Sequence, residues 1–156
     1  MSTFVAIGKK IPSFEVKDSR GNLISSQSLL GHPFVLYFYP KDDTPGCTKE
    51  ACSFRDNLES LASDKIKVFG ISPDSSYSHQ KFIDKYNLNF TLLSDETKEV
   101  CKKFDVLQEK TTFGKTSIGV VRTTFLVDKK GIIQWIERPV SVEGHVDRVK
   151  EAVKEL

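Results

Sequence analysis

Apolar residues recur with two periods along this chain, and the way the periods alternate predicts strands interleaved with helices. Residues 34–39 (FVLYFY) form a short, unbroken apolar and aromatic run that reads as a buried strand. Ahead of it, residues 14–16 and 23–25 flank the turn-rich stretch Asp18-Ser19-Arg20-Gly21-Asn22 and predict an N-terminal hairpin. Beyond it, residues 67–71 read as a strand. Residues 76–86 follow as a helix capped near Asp74 or Ser75, with Phe82, Ile83 and Tyr86 on its apolar face. After a strand over residues 90–93, Asp95 is placed to cap a helix over residues 97–104. There Val100 and Phe104 stand at the i, i+4 spacing of a buried face, and Cys101 sits beside them. Residues 123–127 and 132–136 predict a hairpin across Asp128-Lys129-Lys130-Gly131, and a last helix covers residues 143–155. Residues 108–119 have no clear periodicity and read as a loop bordering the functional site. Strand and helix alternate without an internal repeat, which predicts an α/β fold with a mixed or parallel sheet.

Composition narrows the class without changing that picture. At 156 residues, 38% hydrophobic and 28% charged, the chain suits one globular domain over residues 1–156. Lysine plus arginine number 23 against 21 acidic residues, a net charge of +2. The charges are interspersed, so neither a nucleic-acid nor a membrane patch is expected. No run approaches the ~18 apolar residues of a membrane span, and the start, MSTFVAIGKK, lacks the apolar stretch of a signal peptide. A cytoplasmic location is therefore the expectation, and Asn89-Phe90-Thr91 is a chance match to the glycosylation pattern. Three cysteines in such a chain point to thiol chemistry in a reducing compartment rather than to a disulfide framework. No heptad or long apolar stripe calls for a large interface, so a monomer is expected.

The chemistry concentrates in PKDDTPGCTKEAC, residues 40–52. Thr44 is a good helix N-cap, and Pro45 suits the first helical position because its missing N–H would have been an orphan there. Cys47 then falls in the first turn, where unpaired amides and the positive end of the helix dipole favour thiolate, the nucleophilic form, over thiol. The competing reading of Cys47 is a small buried hydrophobe. Strand, loop and helix start agree on the reactive role.

Helix geometry makes the spacing to Cys52 a mechanistic statement. Five residues rise about 7.5 Å and turn about 140°, which puts the two Cα atoms roughly 8.5–9 Å apart, beyond the ~7 Å limit for a disulfide. If Cys47 and Cys52 pair, the first turns must melt. Pro45, Gly46, Thr48 and Ser53 are all weak helix formers and make that melting plausible. The competing reading is two unrelated thiols on different faces of one helix.

Other chemistries find less support. Gly114-Lys115-Thr116 resembles the end of a phosphate-binding loop, but the glycine needed five positions earlier is Glu109. His32, His79 and His145 are scattered without metal-ligand spacing, so each is expected at the surface and neither metal nor cofactor is expected. A disulfide oxidoreductase of thioredoxin type would want Cys-x-x-Cys, which is absent. A cysteine hydrolase would need a histidine base, and the sequence leaves His79 and His145 open for it. A non-turnover redox sensor or thiol–disulfide exchange module is the remaining alternative.

With Pro40, Thr44, Cys47 and an arginine ahead of a strand in hand, the chain resembles the peroxiredoxins over essentially its whole length. Pro40, Thr44 and Cys47 meet their Pro-x-x-x-Thr-x-x-Cys signature. The stretches YPKDDTPGCTKEACSFRD and FGKTSIGVVRTTFLVDKKG are similar to the bacterioferritin comigratory protein, or PrxQ, subfamily. The resemblance implies a thioredoxin-like fold with an N-terminal hairpin extension and a central mixed sheet flanked by helices. It implies that Cys47 is the peroxidatic thiolate, that the Thr44 hydroxyl binds the peroxide, and that Pro40 shields the pocket. By the same resemblance Arg122 stabilises the thiolate, Glu50 buttresses the site, and Cys52 is the resolving cysteine of a one-chain, atypical two-cysteine enzyme. Its substrates would be hydroperoxides and its reductant thioredoxin-like. Some relatives place the resolving cysteine on a later helix, which would fall near residues 81–86, and Cys101 is read as a core residue.

Overall fold

The computed structural model describes residues 5–63 and 65–156. Strands β1 (Glu15–Asp18) and β2 (Leu23–Ser25) form the N-terminal hairpin, one residue later at its start than the pattern predicts. A 3₁₀ turn, Ser26–Leu29, leads to β3 (Phe34–Phe38), every residue of which is buried. Helix α1 (Pro45–Ser63), β4 (Lys67–Ser72), α2 (Ser76–Tyr86) and β5 (Thr91–Ser94) follow. The second half of the chain supplies α3 (Glu99–Lys103), β6 (Leu107–Thr112), β7 (Lys115–Val120), β8 (Thr123–Val127), β9 (Ile133–Glu137) and α4 (His145–Lys154).

Seven strands make one mixed sheet in the order β2-β1-β5-β4-β3-β8-β9. The β3–β4 and β4–β5 pairs are parallel; β1–β2, β1–β5, β3–β8 and β8–β9 are antiparallel. Because successive side chains of a strand point to opposite faces, β3 divides the core in two. Val35 and Tyr37, with Tyr39 just beyond the strand, join a cluster with Cys47, Ala51 and Phe54 of α1, Phe82 of α2 and Val149 of α4. Phe34, Leu36 and Phe38 join the opposite cluster with Val100, Cys101, Phe104 and Phe125. Each fully buried aromatic side chain of β3 stabilises the fold by about 2–3 kcal/mol.

Gly70, opposite Tyr37 across the parallel pair, opens the room the tyrosine ring takes: a Cβ at Gly70 would lie 2.8 Å from its Cζ. The ring then stacks on Phe54 of α1, with centroids 4.8 Å apart. That contact seats the helix carrying Cys47 on the middle of the sheet.

Two local expectations need correction. The predicted loop over residues 108–119 is a β-hairpin, Leu107 to Val120, turning through Phe113 and Gly114, which both have positive φ (52° and 76°) as a two-residue type I′ turn requires. Among the described residues it pairs only with itself, and its side chains lie largely in solvent, so no buried face imposes the alternation that marks a strand. Helix α3 is shorter than the predicted 97–104, because Lys98 takes a left-handed conformation (φ 64°) before it. The N-cap position is accordingly Lys98 and not the predicted Asp95, although the Asp95 carboxylate accepts the first-turn amides of Val100 and Cys101 at 3.1 and 2.8 Å. By contrast α2 runs over the predicted residues 76–86, with Ser75 accepting the Ser78 amide at 3.1 Å.

Candidate active site

Helix α1 starts at Pro45 as expected, and the Thr44 carbonyl accepts its first bond, from the Thr48 amide at 2.8 Å. Cys47, Ala51, Phe54 and Leu61 are buried on the helix, with Leu58 half-buried between them. That 4-3-4-3 spacing is a helical stripe against the sheet, and Cys47 heads it. Cys52 lies off the stripe and is half-buried. Both thiols are free and α1 is continuous through them. Their spacing therefore keeps the sulfurs apart in this state, as the helix arithmetic requires.

Arg122 immediately precedes β8, the strand next to β3, and so reaches the start of α1. Its backbone carbonyl accepts the Val140 amide at 2.9 Å, which fixes the stem of the side chain. The guanidinium divides its donors: Nη2 lies 3.2 Å from Cys47 Sγ, and Nη1 lies 2.7 Å from Glu50 Oε1. Gly46 makes that approach possible, since a Cβ there would stand 3.1 Å from Arg122 Nη2. Glu50 is fully buried and Arg122 largely so, with side-chain exposures of 0% and 17%. Burial raises the Glu50 carboxyl to about 7, against the pull of Arg122. The same burial pushes the Tyr37 hydroxyl well above the ordinary phenol range, with the nearby charges of Glu50 and Cys47 adding to it. The arrangement is a cysteine sulfur at a helix N-terminus with a fixed cation on it, a setting that can bind and polarise a small oxygen-bearing molecule.

Of the other residues singled out in the sequence, Thr44 is half-buried one turn before Cys47, and its hydroxyl donates to the Lys41 carbonyl at 2.9 Å. Pro40 follows the buried run of β3 and Tyr39 and is half-buried. Cys101 lies in the cluster on the other face of the sheet from Cys47. Burial drives its thiol far above the ordinary range, and the Asp95 carboxylate adds to that.

The expectation that the histidines sit at the surface holds for His32 and fails for His79 and His145, which are buried. His79 is held between Asp42 Oδ2 at 2.7 Å and the Leu93 carbonyl at 2.8 Å. Among the described residues, Asp42, Asp74 and His79 bring potential ligand atoms within 4.8 Å of one another. Asp42 already accepts from the Tyr39 and Ser78 hydroxyls at 2.6 and 2.8 Å, and Asp74 accepts the Asp42 amide at 2.8 Å and the Ser72 hydroxyl at 2.6 Å. These bonds latch the loop over residues 40–44 to β4 and α2. Asp43 completes the latch, accepting from Lys85 and the Tyr86 hydroxyl at 2.7 and 2.6 Å.

His145 heads α4 and packs edge-on against Phe54, with ring centroids 5.4 Å apart. Its Nδ1 lies 3.4 Å from Glu50 Oε2. The pattern held a signal for it, because His145, Val149 and Val153 recur at four-residue intervals and all are buried.

Comparison with known proteins agrees with this geometry. The AhpC/TSA family profile matches residues 7–136. Over 154 residues the chain is 44% identical to peroxiredoxin Bcp of Bacillus subtilis, covering 97% of each. A Coxiella burnetii protein described as a peroxiredoxin, bcp, is 48% identical over 145 residues, 93% of this chain and 96% of that one. Among solved structures, the Xanthomonas campestris bacterioferritin comigratory protein superposes with a TM-score of 0.87 at 38% identity, covering 91% of this chain and 90% of that one. Xylella fastidiosa PrxQ superposes with a TM-score of 0.92 at 33% identity, covering 99% and 98%. With a cysteine at the head of the α1 stripe, an arginine on its sulfur and relatives of this kind along nearly all of its length, the chain belongs to the AhpC/TSA family, as a peroxiredoxin of the Bcp/PrxQ kind and hence a thiol peroxidase.

Proposed function

We propose that this peroxiredoxin reduces hydrogen peroxide and organic hydroperoxides through Cys47, with Cys52 resolving the intermediate inside one chain. The observation that carries the reading is the 3.2 Å contact between Arg122 Nη2 and Cys47 Sγ at the start of α1. The Cys47 thiolate attacks the terminal oxygen of R–O–O–H, forming an S–O bond as the O–O bond breaks. Cys47 becomes a sulfenic acid, and the leaving alkoxide or hydroxide takes a proton to depart as alcohol or water. Arg122 stabilises the charge spreading along the O–O bond while Glu50 holds the guanidinium in place. Thr44 supplies a hydroxyl to the peroxide, and Pro40 shields the sulfur.

The Cys52 sulfur then attacks the sulfenic sulfur, the S–OH bond breaks, water leaves and a disulfide forms. That step requires the first turns of α1 to unwind. A thioredoxin-type dithiol takes the oxidation in exchange and restores both thiols. Residues 1–156 act as one domain, a cytoplasmic monomer that uses no cofactor or metal. Among the described residues no helix is long and apolar enough to cross a membrane. The alkyl peroxide reduction activity attributed to the Xanthomonas relative supports organic hydroperoxides among the substrates.

Peroxide consumption driven by a thioredoxin system tests the reading. Cys47→Ser is expected to abolish turnover. Cys52→Ser is expected to permit one sulfenate-forming event per chain and then stall. Stoichiometric peroxide loss by the unsubstituted protein would instead favour the non-turnover sensor.

A further inference from the structure

Glu50 meets the active site through one oxygen only. Oε1 accepts from Arg122, while Oε2 is buried without a hydrogen-bond partner among the described residues. Both ring nitrogens of His145 are likewise buried and unpartnered, and the ring is 1% exposed. His145 Nδ1 stands 3.4 Å from Oε2, within ion-pair range and longer than a good hydrogen bond. Among the described residues neither Oε2 nor the ring nitrogens have a hydrogen-bond partner, and leaving such atoms unpaired in the interior is costly.

On the reading of Cys47 and Arg122 given above, we propose that His145 is a positioning residue: it acts through Glu50 to hold Arg122 on the Cys47 sulfur. Once Glu50 is a carboxylate, a neutral His145 donates Nδ1–H to Oε2. That bond fixes the carboxylate plane and aims Oε1 at Nη1, which leaves Nη2 for the sulfur. When Glu50 holds its own proton, Glu50 becomes the donor, the Nδ1 lone pair accepts, and the ring proton resides on Nε2. One proton is lost between the two states and the imidazole changes tautomer while staying neutral.

The groups facing this pair are Cys47 on α1, Tyr37 on β3, Arg122 ahead of β8, Glu137 on β9 and Arg148 on α4. Burial pushes the His145 ring down to about 4, with the Glu137 charge opposing it, so a neutral imidazole is the form present at working pH. Phe54 of α1 packs edge-on against the ring, with centroids 5.4 Å apart.

Nitrogen NMR of the imidazole in the reduced full-length protein, taken from about pH 5 to about pH 9, tests the arrangement directly. The expected result is a ring neutral throughout whose proton moves from Nε2 to Nδ1 as Glu50 ionises. A ring charged at neutral pH, or a tautomer that never changes, overturns the proposal. The pH profile of the bimolecular rate of Cys47 oxidation gives the functional arm. His145→Phe, which keeps the ring stack, is expected to slow oxidation about tenfold at neutral pH and to shift the inflection assigned to Glu50 upward. His145→Asn, whose amide can reach the Nδ1 position, is expected to return the rate to within about threefold of the parent. Superimposable profiles for the parent and His145→Phe overturn the proposal; so does an asparagine variant no better than the phenylalanine. Should the phenylalanine variant not fold, the parent NMR series decides. A parent protein that does not consume peroxide refutes the peroxidase reading itself and leaves the NMR result to judge the pair alone.

Discussion

Arg122 and Cys47 stand 75 positions apart in the chain, and the guanidinium Nη2 is 3.2 Å from the sulfur. Because the same guanidinium also donates to Glu50, its planar fork is fixed at two points, which a lysine ammonium cannot reproduce. Arg122→Ala is expected to slow peroxide oxidation of Cys47 by about 10²–10³-fold, the cost of removing one preorganised donor from a transition state. Arg122→Lys should fall between the two. Stopped-flow oxidation at neutral pH checks this, and an alanine variant as fast as the parent would remove Arg122 from the mechanism.

Gly46 separates activity from stability. A methyl group there meets Arg122 Nη2 at 3.1 Å, so Gly46→Ala crowds the guanidinium and shifts it by a few tenths of an ångström against the sulfur. Alanine also improves helix propensity, by at most about 1 kcal/mol. The expected variant is no less stable than the parent but several-fold slower with peroxide, short of the about 10²–10³-fold expected when the donor is removed outright. Denaturant melts paired with oxidation rates would show it.

The Glu50–His145 pair gives opposing pH dependences of stability. Glu50 has its folded value raised from 4.5 to about 7, so between those values the unfolded chain sheds its proton first and stability falls as pH rises. His145 has its folded value lowered from 6.5 to about 4, so across that range the unfolded chain gains a proton first and stability rises with pH. Each contribution is about 3 kcal/mol at most, and they largely offset each other from about pH 4.5 to 6.5. Glu50→Gln should leave the rising limb, and His145→Asn the falling one. Urea melts at successive pH values measure both; two flat variants would contradict the burial of the pair.

What was legible in the sequence follows from which faces are buried. The run through Phe34 and Phe38 and the helix Ser76–Tyr86 are covered by core, so their patterns had a cause and were readable. The Leu107–Val120 hairpin has little core against it; its trace was a glycine after Phe113 flanked by threonines, a turn signal rather than a periodicity. Cys47 was legible because Thr44 and Pro45 place it locally. The contact of Glu50 with His145 joins α1 to α4 across most of the chain, and no local rule carries it. The sheet decides Cys101 in the same way, by setting it on the other face from Cys47.

Cys101 therefore tests the division of labour among the thiols. Cys101→Ala removes a buried sulfur and is expected to destabilise the fold by about 1 kcal/mol or more through the cavity left. Steady-state turnover should stay within about twofold of the parent, since a buried, strongly protonated thiol is inert. A variant that accumulates oxidised Cys47 would show that Cys101 takes part.

The proposed cycle turns on one bond that this conformation forbids. Peptide mapping by mass spectrometry, after one equivalent of hydroperoxide and without reductant, reads it directly. The predicted product is an intramolecular Cys47–Cys52 disulfide with Cys101 still alkylatable, formed only as the amides of residues 45–55 lose protection against exchange. A Cys47–Cys101 bond, or a Cys47–Cys52 bond with α1 protected as in the reduced protein, would contradict it.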